Sequence, residues 1–122
     1  MTTPTIELAA IIIDCAQPQP VADFYVAAAG GDIVRADPAG VWITIGANNV
    51  IFRRVENYRP PTWPVGGEQL QAHLDFYVDD LAAAQQRLEQ LGAVTSPHQP
   101  HGQADLVVMI DPAGRPFCIG PR

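Results

Sequence analysis

The feature that most constrains this chain is an order of hydrophobic periods that occurs twice. Residues 7–15 (ELAAIIIDC) form a short Ile-rich run, too short for a helix, and read as a buried strand. Pro18 and Pro20 follow, where a helix can begin because its first N–H groups have no intrahelical partner. Residues 21–29 place Val21, Phe24, Tyr25 and Ala28 at helical spacing, and Gly30 and Gly31 supply a left-handed cap. Three strands come next, at 32–36, 41–45 and 50–55. They are separated by Asp37-Pro38-Ala39-Gly40 and by residues 46–49, both turn chemistry.

A Pro- and Gly-rich stretch, residues 56–69 (ENYRPPTWPVGGEQ), breaks the pattern as a connection, and the same order then restarts. Residues 70–78 read as a strand. Asp79 or Asp80 caps an amphipathic helix with Leu81, Ala84, Leu88 and Leu91 on one face, closed by Gly92. Residues 93–95 form a short strand, 96–103 a polar loop and 105–110 a strand. Asp111-Pro112-Ala113-Gly114 turns into a final strand at 115–119. The expected architecture is α+β, two βαβββ modules whose curled mixed sheet surrounds a shared concave cavity. One domain spans 1–122, with module one at 6–55, the connection at 56–69 and module two at 70–120. The string DPAG occurs in both modules but precedes different strands, so it is shared turn chemistry and not the repeat.

Strand alternation assigns faces. Leu74, Phe76 and Val78 are apolar and should pack on the helix, which leaves His73, Asp75 and Tyr77 on the opposite face. In module one, Ile11 and Ile13 should face the helix and Ala10, Ile12 and Asp14 the other side. Val41, Ile43 and Ile45 should likewise back onto the helix, with Trp42 and Thr44 facing the same way as His73.

Composition excludes several classes of partner. The 122-residue chain is 48% hydrophobic and 16% charged, with net charge −6 and no basic stripe. Nucleic acid and anionic membrane surfaces both demand clustered Lys and Arg, so neither is expected. The net charge itself suits cationic or neutral ligands. No apolar run reaches the roughly 18 residues of a membrane span. Residues 1–5 lack a basic segment followed by an apolar one, so no export signal is read. Cys15 and Cys118 are therefore expected as reduced thiols in a cytoplasmic protein.

The doubled βαβββ order resembles the vicinal oxygen chelate superfamily, which includes glyoxalase I, bleomycin resistance proteins and extradiol dioxygenases. The nearest likeness is to bacterial glyoxalase-like domain proteins. It is carried by Asp23-Phe24-Tyr25, by Pro60-Pro61-Thr62-Trp63-Pro64, and by His73-Leu74-Asp75 with Val78-Asp79-Asp80-Leu81. Leu91-Gly92-Ala93 and the run Asp111-Pro112-Ala113-Gly114-Arg115-Pro116-Phe117-Cys118 add to it. The resemblance implies homodimers, in some members with exchanged modules. It also implies a divalent ion on four side chains, whose places fall here on Ala10, Phe52, His73 and Cys118. Ala10 and Phe52 offer no donor, so no metal and no other cofactor is expected. A neighbouring Asp75 or Asp14 would be needed to complete a distorted site.

The candidate catalytic residues are His73 and Asp75. Trp42, Phe52, Arg54, Trp63, Tyr77 and Cys118 join them as candidate ligand contacts. His73 admits three roles: a cavity-wall histidine with one partner, a ligand-contacting or proton-transfer group, and a metal ligand. Asp75, between Leu74 and Phe76, is expected to be desolvated, whereas Asp14 closes its strand near solvent. Trp42, Phe52, Tyr77 and Trp63 suit a flat organic ligand, with ordinary core packing the alternative for Trp42 and Phe52 above all and Trp63 read as lying outside the core. Trp63, among three prolines, serves as a lid or a partner anchor. Arg53 and Arg54 point to opposite faces, and Arg54, on the side of Phe52, pairs with a ligand anion or with a surface acid. His98 and His101 read as surface loop residues, and both cysteines as inert buried thiols. The expected function is to hold a small organic molecule in the cavity without the full metal site, as bleomycin resistance proteins do. The alternatives are a metal-dependent lyase, isomerase or dioxygenase acting on vicinal oxygens, and a metal-free acid/base enzyme using His73 and Asp75.

Overall fold

The computed structural model describes residues 3–103 and 105–122, with the side chains of His101 and Gln103 outside the described set. Module one contains β1 (Ile11–Cys15), α1 (Pro18–Ala29), β2 (Asp32–Asp37), β3 (Gly40–Ile45) and β4 (Asn48–Arg54). Module two contains β5 (Asp75–Tyr77), α2 (Leu81–Gln90), β6 (Val94–Thr95), β7 (Pro100–Gln103), β8 (Val107–Ile110) and β9 (Pro116–Gly120). The first sheet has the order β1-β4-β3-β2 and the second β5-β9-β8-β6. In each, the first strand runs parallel to the last and the remaining pairs are antiparallel. The α+β reading and the repeated module are thus met.

Local chemistry accounts for the helix ends. Pro18 occupies the first turn of α1, and Gly30 closes it at φ +70°, donating its N–H to Val26. Asp80, not Asp79, caps α2 by accepting the Ala83 N–H at 3.0 Å. Gly31 is required for a different reason. A Cβ there would collide with the Thr44 carbonyl of the neighbouring strand.

Three expectations on extent are corrected. The strand expected at 70–78 is regular only over Asp75–Tyr77, with the Leu74 carbonyl and the Val78 N–H still bonded to Cys118 and Gly120 of β9. The connection ahead of it carries its own bridge, Thr62 to Gln69. The loop expected at 96–103 contains the extra strand β7. The two sheets are also separate and do not close around an enclosed cavity, because β1 and β5 are not hydrogen-bonded to each other. None of the described helices is long and apolar enough to cross a membrane.

One core joins the modules. Tyr25 of α1 stacks on Phe52 of β4 at 5.5 Å and on Phe76 of β5 at 6.1 Å, and meets Phe117 of β9 edge-on at 6.0 Å. Its hydroxyl donates to Asp111 Oδ2 at 2.6 Å, across 86 residues of chain and away from water. Burial is the largest influence on Asp111 and holds its carboxyl above the usual range, while the Tyr25 hydrogen bond pulls it back. Loss of that hydroxyl leaves a buried acceptor unpaired, at a cost of about 1–3 kcal/mol. Tyr25→Phe should therefore lower the unfolding free energy by that amount, read as a lower urea midpoint with the m-value unchanged. An unaltered midpoint would show that the bond contributes nothing to joining the modules.

Candidate functional site

The face opposite the helices carries the chemistry. Leu74, Phe76 and Val78 pack against the core as their alternation requires. His73, Asp75 and Tyr77 therefore project outward, with their side chains or residues 42%, 65% and 69% exposed respectively. The face is as expected, but it is open. Asp75 is not desolvated, since no second sheet covers it.

The parallel register sets Asp75 beside Cys118 on β9. Cys118 lies on the same face, between the core residues Phe117 and Ile119, and is nearly covered. His73 Nε2 and Asp75 Oδ1 are 3.0 Å apart. Donor atoms of His73, Asp75 and Cys118 all lie within 4.8 Å of one another. A surface pair such as His73–Asp75 contributes only about 0–1 kcal/mol, so stability alone does not explain the arrangement. Imidazole, carboxylate and thiol together suit a borderline-soft divalent ion such as zinc better than an oxygen-seeking one. Three protein donors with an open fourth position is the pattern of catalytic rather than structural zinc.

Module one reaches the same place. A cleft of about 320 Å³ is lined by Ile12, Asp14, Ala72, His73 and Arg115, among others. Asp14 is held by Arg53, whose Nε and a terminal nitrogen lie 2.8 and 3.1 Å from its two oxygens. Here the assignment of the two arginines is corrected. Phe52 is fully buried against Tyr25, so the side it shares with Arg54 is the helix side. Arg53 takes the open face and Arg54 ends its strand beside Cys15. Phe52 contacts no ligand on the open face.

The other aromatic candidates spread out. Trp42 is half-buried on the open side of sheet one, beneath the Arg35 guanidinium at 4.5 Å. A register shift in β2 brings Arg35 opposite it. Tyr77 carries Arg122 over its ring at 5.0 Å. Trp63 meets His98 edge-on at 5.9 Å, and its buried Nε1 has no hydrogen-bond partner. Trp63 is not among the residues lining the His73 cleft. His98 is exposed.

A larger cavity, about 500 Å³, lies elsewhere, between Phe24, Ala28, Phe76, Val78 and Leu88. It belongs to the helix side. Its polar lining residues are few, among them Asn48 and Arg87, and the Tyr25 hydroxyl is already engaged by Asp111. The imidazole, carboxylate and thiol that cluster within 4.8 Å of one another are on the open face, which is why the site is placed there.

Arg53 and Arg115 were not singled out as site residues. For Arg53 a signal existed in Asp14, its cross-strand partner in the parallel register. Arg115 gave none. It follows a turn and has the same parity as buried Phe117, which pointed it at the core.

Burial raises the Cys118 thiol from 9.0 to about 11, with the Asp75 carboxylate adding to the effect. Burial likewise raises Cys15 to about 11, with Asp111 and then Asp14 contributing. A raised folded-state value stabilises the fold fully below the unfolded value of 9.0 and loses that contribution as pH climbs towards 11. Wild-type urea midpoints should fall between pH 8 and pH 11, and should fall less steeply in Cys15→Ala and in Cys118→Ala. Parallel slopes in all three proteins would contradict burial as the cause.

Residues 10–120 match the family described as the glyoxalase-like domain. No curated protein sequence matches significantly. Solved structures of similar fold include the fosfomycin resistance protein FosX from Listeria monocytogenes, complexed with Mn(II) and sulfate. That protein has a TM-score of 0.72 at 12% identity, covering 97% of this chain and 91% of that one. FosX from Mesorhizobium loti has a TM-score of 0.70 at 15% identity, covering 98% and 94%. A glyoxalase family protein from Enterococcus faecalis has a TM-score of 0.68 at 21% identity, covering 93% and 96%. At these identities the likeness is one of fold.

Proposed function

Because the chain belongs to the glyoxalase-like domain family, within the vicinal oxygen chelate superfamily, we propose that it binds a small organic molecule on the open face around His73, Asp75 and Cys118. The observation that carries this reading is the convergence of those three side chains beside a cleft of about 320 Å³ that both modules line. Tyr77 and Trp42 lie on the same side of the sheets and offer ring faces to a flat ligand. Phe52 has no part in it.

A second reading is favoured by one specific feature, the fit of the three donors to a zinc-class ion. His73, Asp75 and Cys118 would hold it, and the ion, when bound, would polarise vicinal oxygens of the ligand as a Lewis acid. In either reading, Asp75 orients the His73 imidazole through their 3.0 Å contact. The exposed Ile12 on the open face, with Ile6 and Leu8 ahead of it, supports a homodimer that covers this side. The free Cys15 and Cys118 support a reducing, cytoplasmic setting.

Elemental analysis of the purified protein, paired with a catechol titration, tests the two readings. The binder reading expects no stoichiometric metal, saturable catechol binding, and binding weakened about tenfold in His73→Ala, equivalent to about 1.4 kcal/mol. Stoichiometric zinc that disappears in His73→Ala would overturn the metal-free reading in favour of the second. Catechol binding unaffected by His73→Ala would overturn the placement of the site.

A further inference from the structure

Arg115 lies where the modules meet, and it borders the cleft that His73 and Asp14 also line. A terminal guanidinium N–H donates to the Ala72 carbonyl at 3.2 Å, a bond within module two that holds the side chain beside residues 72–74. Its Nε is buried without a well-formed hydrogen bond, and the guanidinium lies beside the buried Tyr58 hydroxyl, which it helps to ionise against the larger effect of burial. Among the described residues, no carboxylate forms an ion pair with Arg115.

The nearby acids are engaged elsewhere. Asp14 is held by both nitrogens of Arg53. Asp75 pairs with His73. Asp111 accepts the Tyr25 hydroxyl on one oxygen and the backbone N–H groups of Ala113 and Arg115 on the other. Arg115 is thus the cation at this cleft with no carboxylate in direct contact, its guanidinium lying beside the Tyr58 hydroxyl and within electrostatic reach of Asp111. A half-buried cation is costly without a counter-charge, and one carbonyl contact does not offset that cost. The planar fork of a guanidinium matches the two oxygens of a carboxylate or of a phosphate-type group.

We propose that the small molecule taken by this cleft carries an oxyanion, and that Arg115 is the residue that selects it. The inference rests on the reading that the ligand lies on the His73 face. The anionic end meets Arg115 and the rest of the molecule extends towards His73 and Asp75. The net charge of −6 does not decide against this. Repulsion from exposed surface acids is screened beyond about 8 Å at physiological salt and acts chiefly on encounter rate. The direct guanidinium contact sets the affinity, so the expectation of a cationic or neutral ligand drawn from net charge gives way to the local geometry.

The test uses the isotope-labelled whole chain, with inorganic phosphate, acetate and neutral propane-1,2-diol as probes. The NMR signals of the Arg115 Nε–H and the His73 imidazole are followed during each titration. Phosphate or acetate should move both signals saturably, and the diol should not move the Arg115 signal. The two anion arms show which oxyanion is preferred. Arg115→Gln should weaken anion binding about 10- to 100-fold. Arg115→Lys keeps a point charge and should retain part of the affinity. Because Arg115 also holds the Ala72 carbonyl, a Gln variant that fails to fold leaves the decision to the folded Lys variant. Affinities for both anions unchanged in either folded variant would overturn the proposal, as would an unmoved Arg115 signal in the wild type. Saturable movement at Arg115 with His73 unmoved would instead overturn the placement of the ligand on the His73 face while the oxyanion contact stands.

Discussion

The Tyr25 side chain is the constraint on which the rest of the architecture depends. Its ring is shared by Phe52 of the first sheet and by Phe76 and Phe117 of the second, and its hydroxyl is bound to a buried carboxylate of the far module. The sheets do not share a backbone ladder, so side-chain packing must set how they lie relative to each other. With one helix-side core for both modules, both outward faces are exposed on the same side. That geometry brings Asp14 of β1 and His73 ahead of β5 to one cleft. The candidate site is thus a consequence of the core, although none of its polar groups belongs to the core.

Electrostatics within the site divides into satisfied and unsatisfied groups. Asp14 is paired with the Arg53 guanidinium, and Asp75 is in hydrogen-bonding contact with His73. Burial, with the Asp75 carboxylate adding to it, favours the neutral thiol at Cys118. Arg115 has no carboxylate in direct contact, only the Tyr58 hydroxyl beside it and Asp111 within electrostatic reach, and its Nε is removed from water. A surface this acidic overall nonetheless presents a guanidinium without a direct ion pair at the cleft. Net charge describes what the molecule attracts from a distance, and the local pairing describes what it retains.

Much of this was legible in the chain. Leu74, Phe76 and Val78 alternate so cleanly that the outward placement of His73, Asp75 and Tyr77 follows from them alone. The module order was equally plain, because Gly30, Gly92 and the two DPAG turns punctuate it. Phe52 failed for a definable reason. Val50, Ile51 and Phe52 are all apolar, so alternation in β4 has no polar member until Arg53, and a resemblance was left to choose the face. Only the register of β1 against β4, which sets Asp14 beside Arg53, decides it. Trp63 was readable as lying outside the core but not as the neighbour of His98, since no periodicity governs a Pro-rich connection. The absence of an enclosed hollow was likewise not legible. Alternation tells which face a side chain takes and says nothing about what covers that face.

The central claim is that ligand recognition takes place at the seam on the open face and not in the larger apolar cavity on the helix side. Crystals of the protein soaked with a library of small oxygen-bearing fragments test it most directly. The account expects fragment density between residues 11–14 and 72–74, within reach of His73 and Arg115. Density confined to the cavity between Phe24, Phe76 and Leu88, with the seam empty across the library, would contradict it.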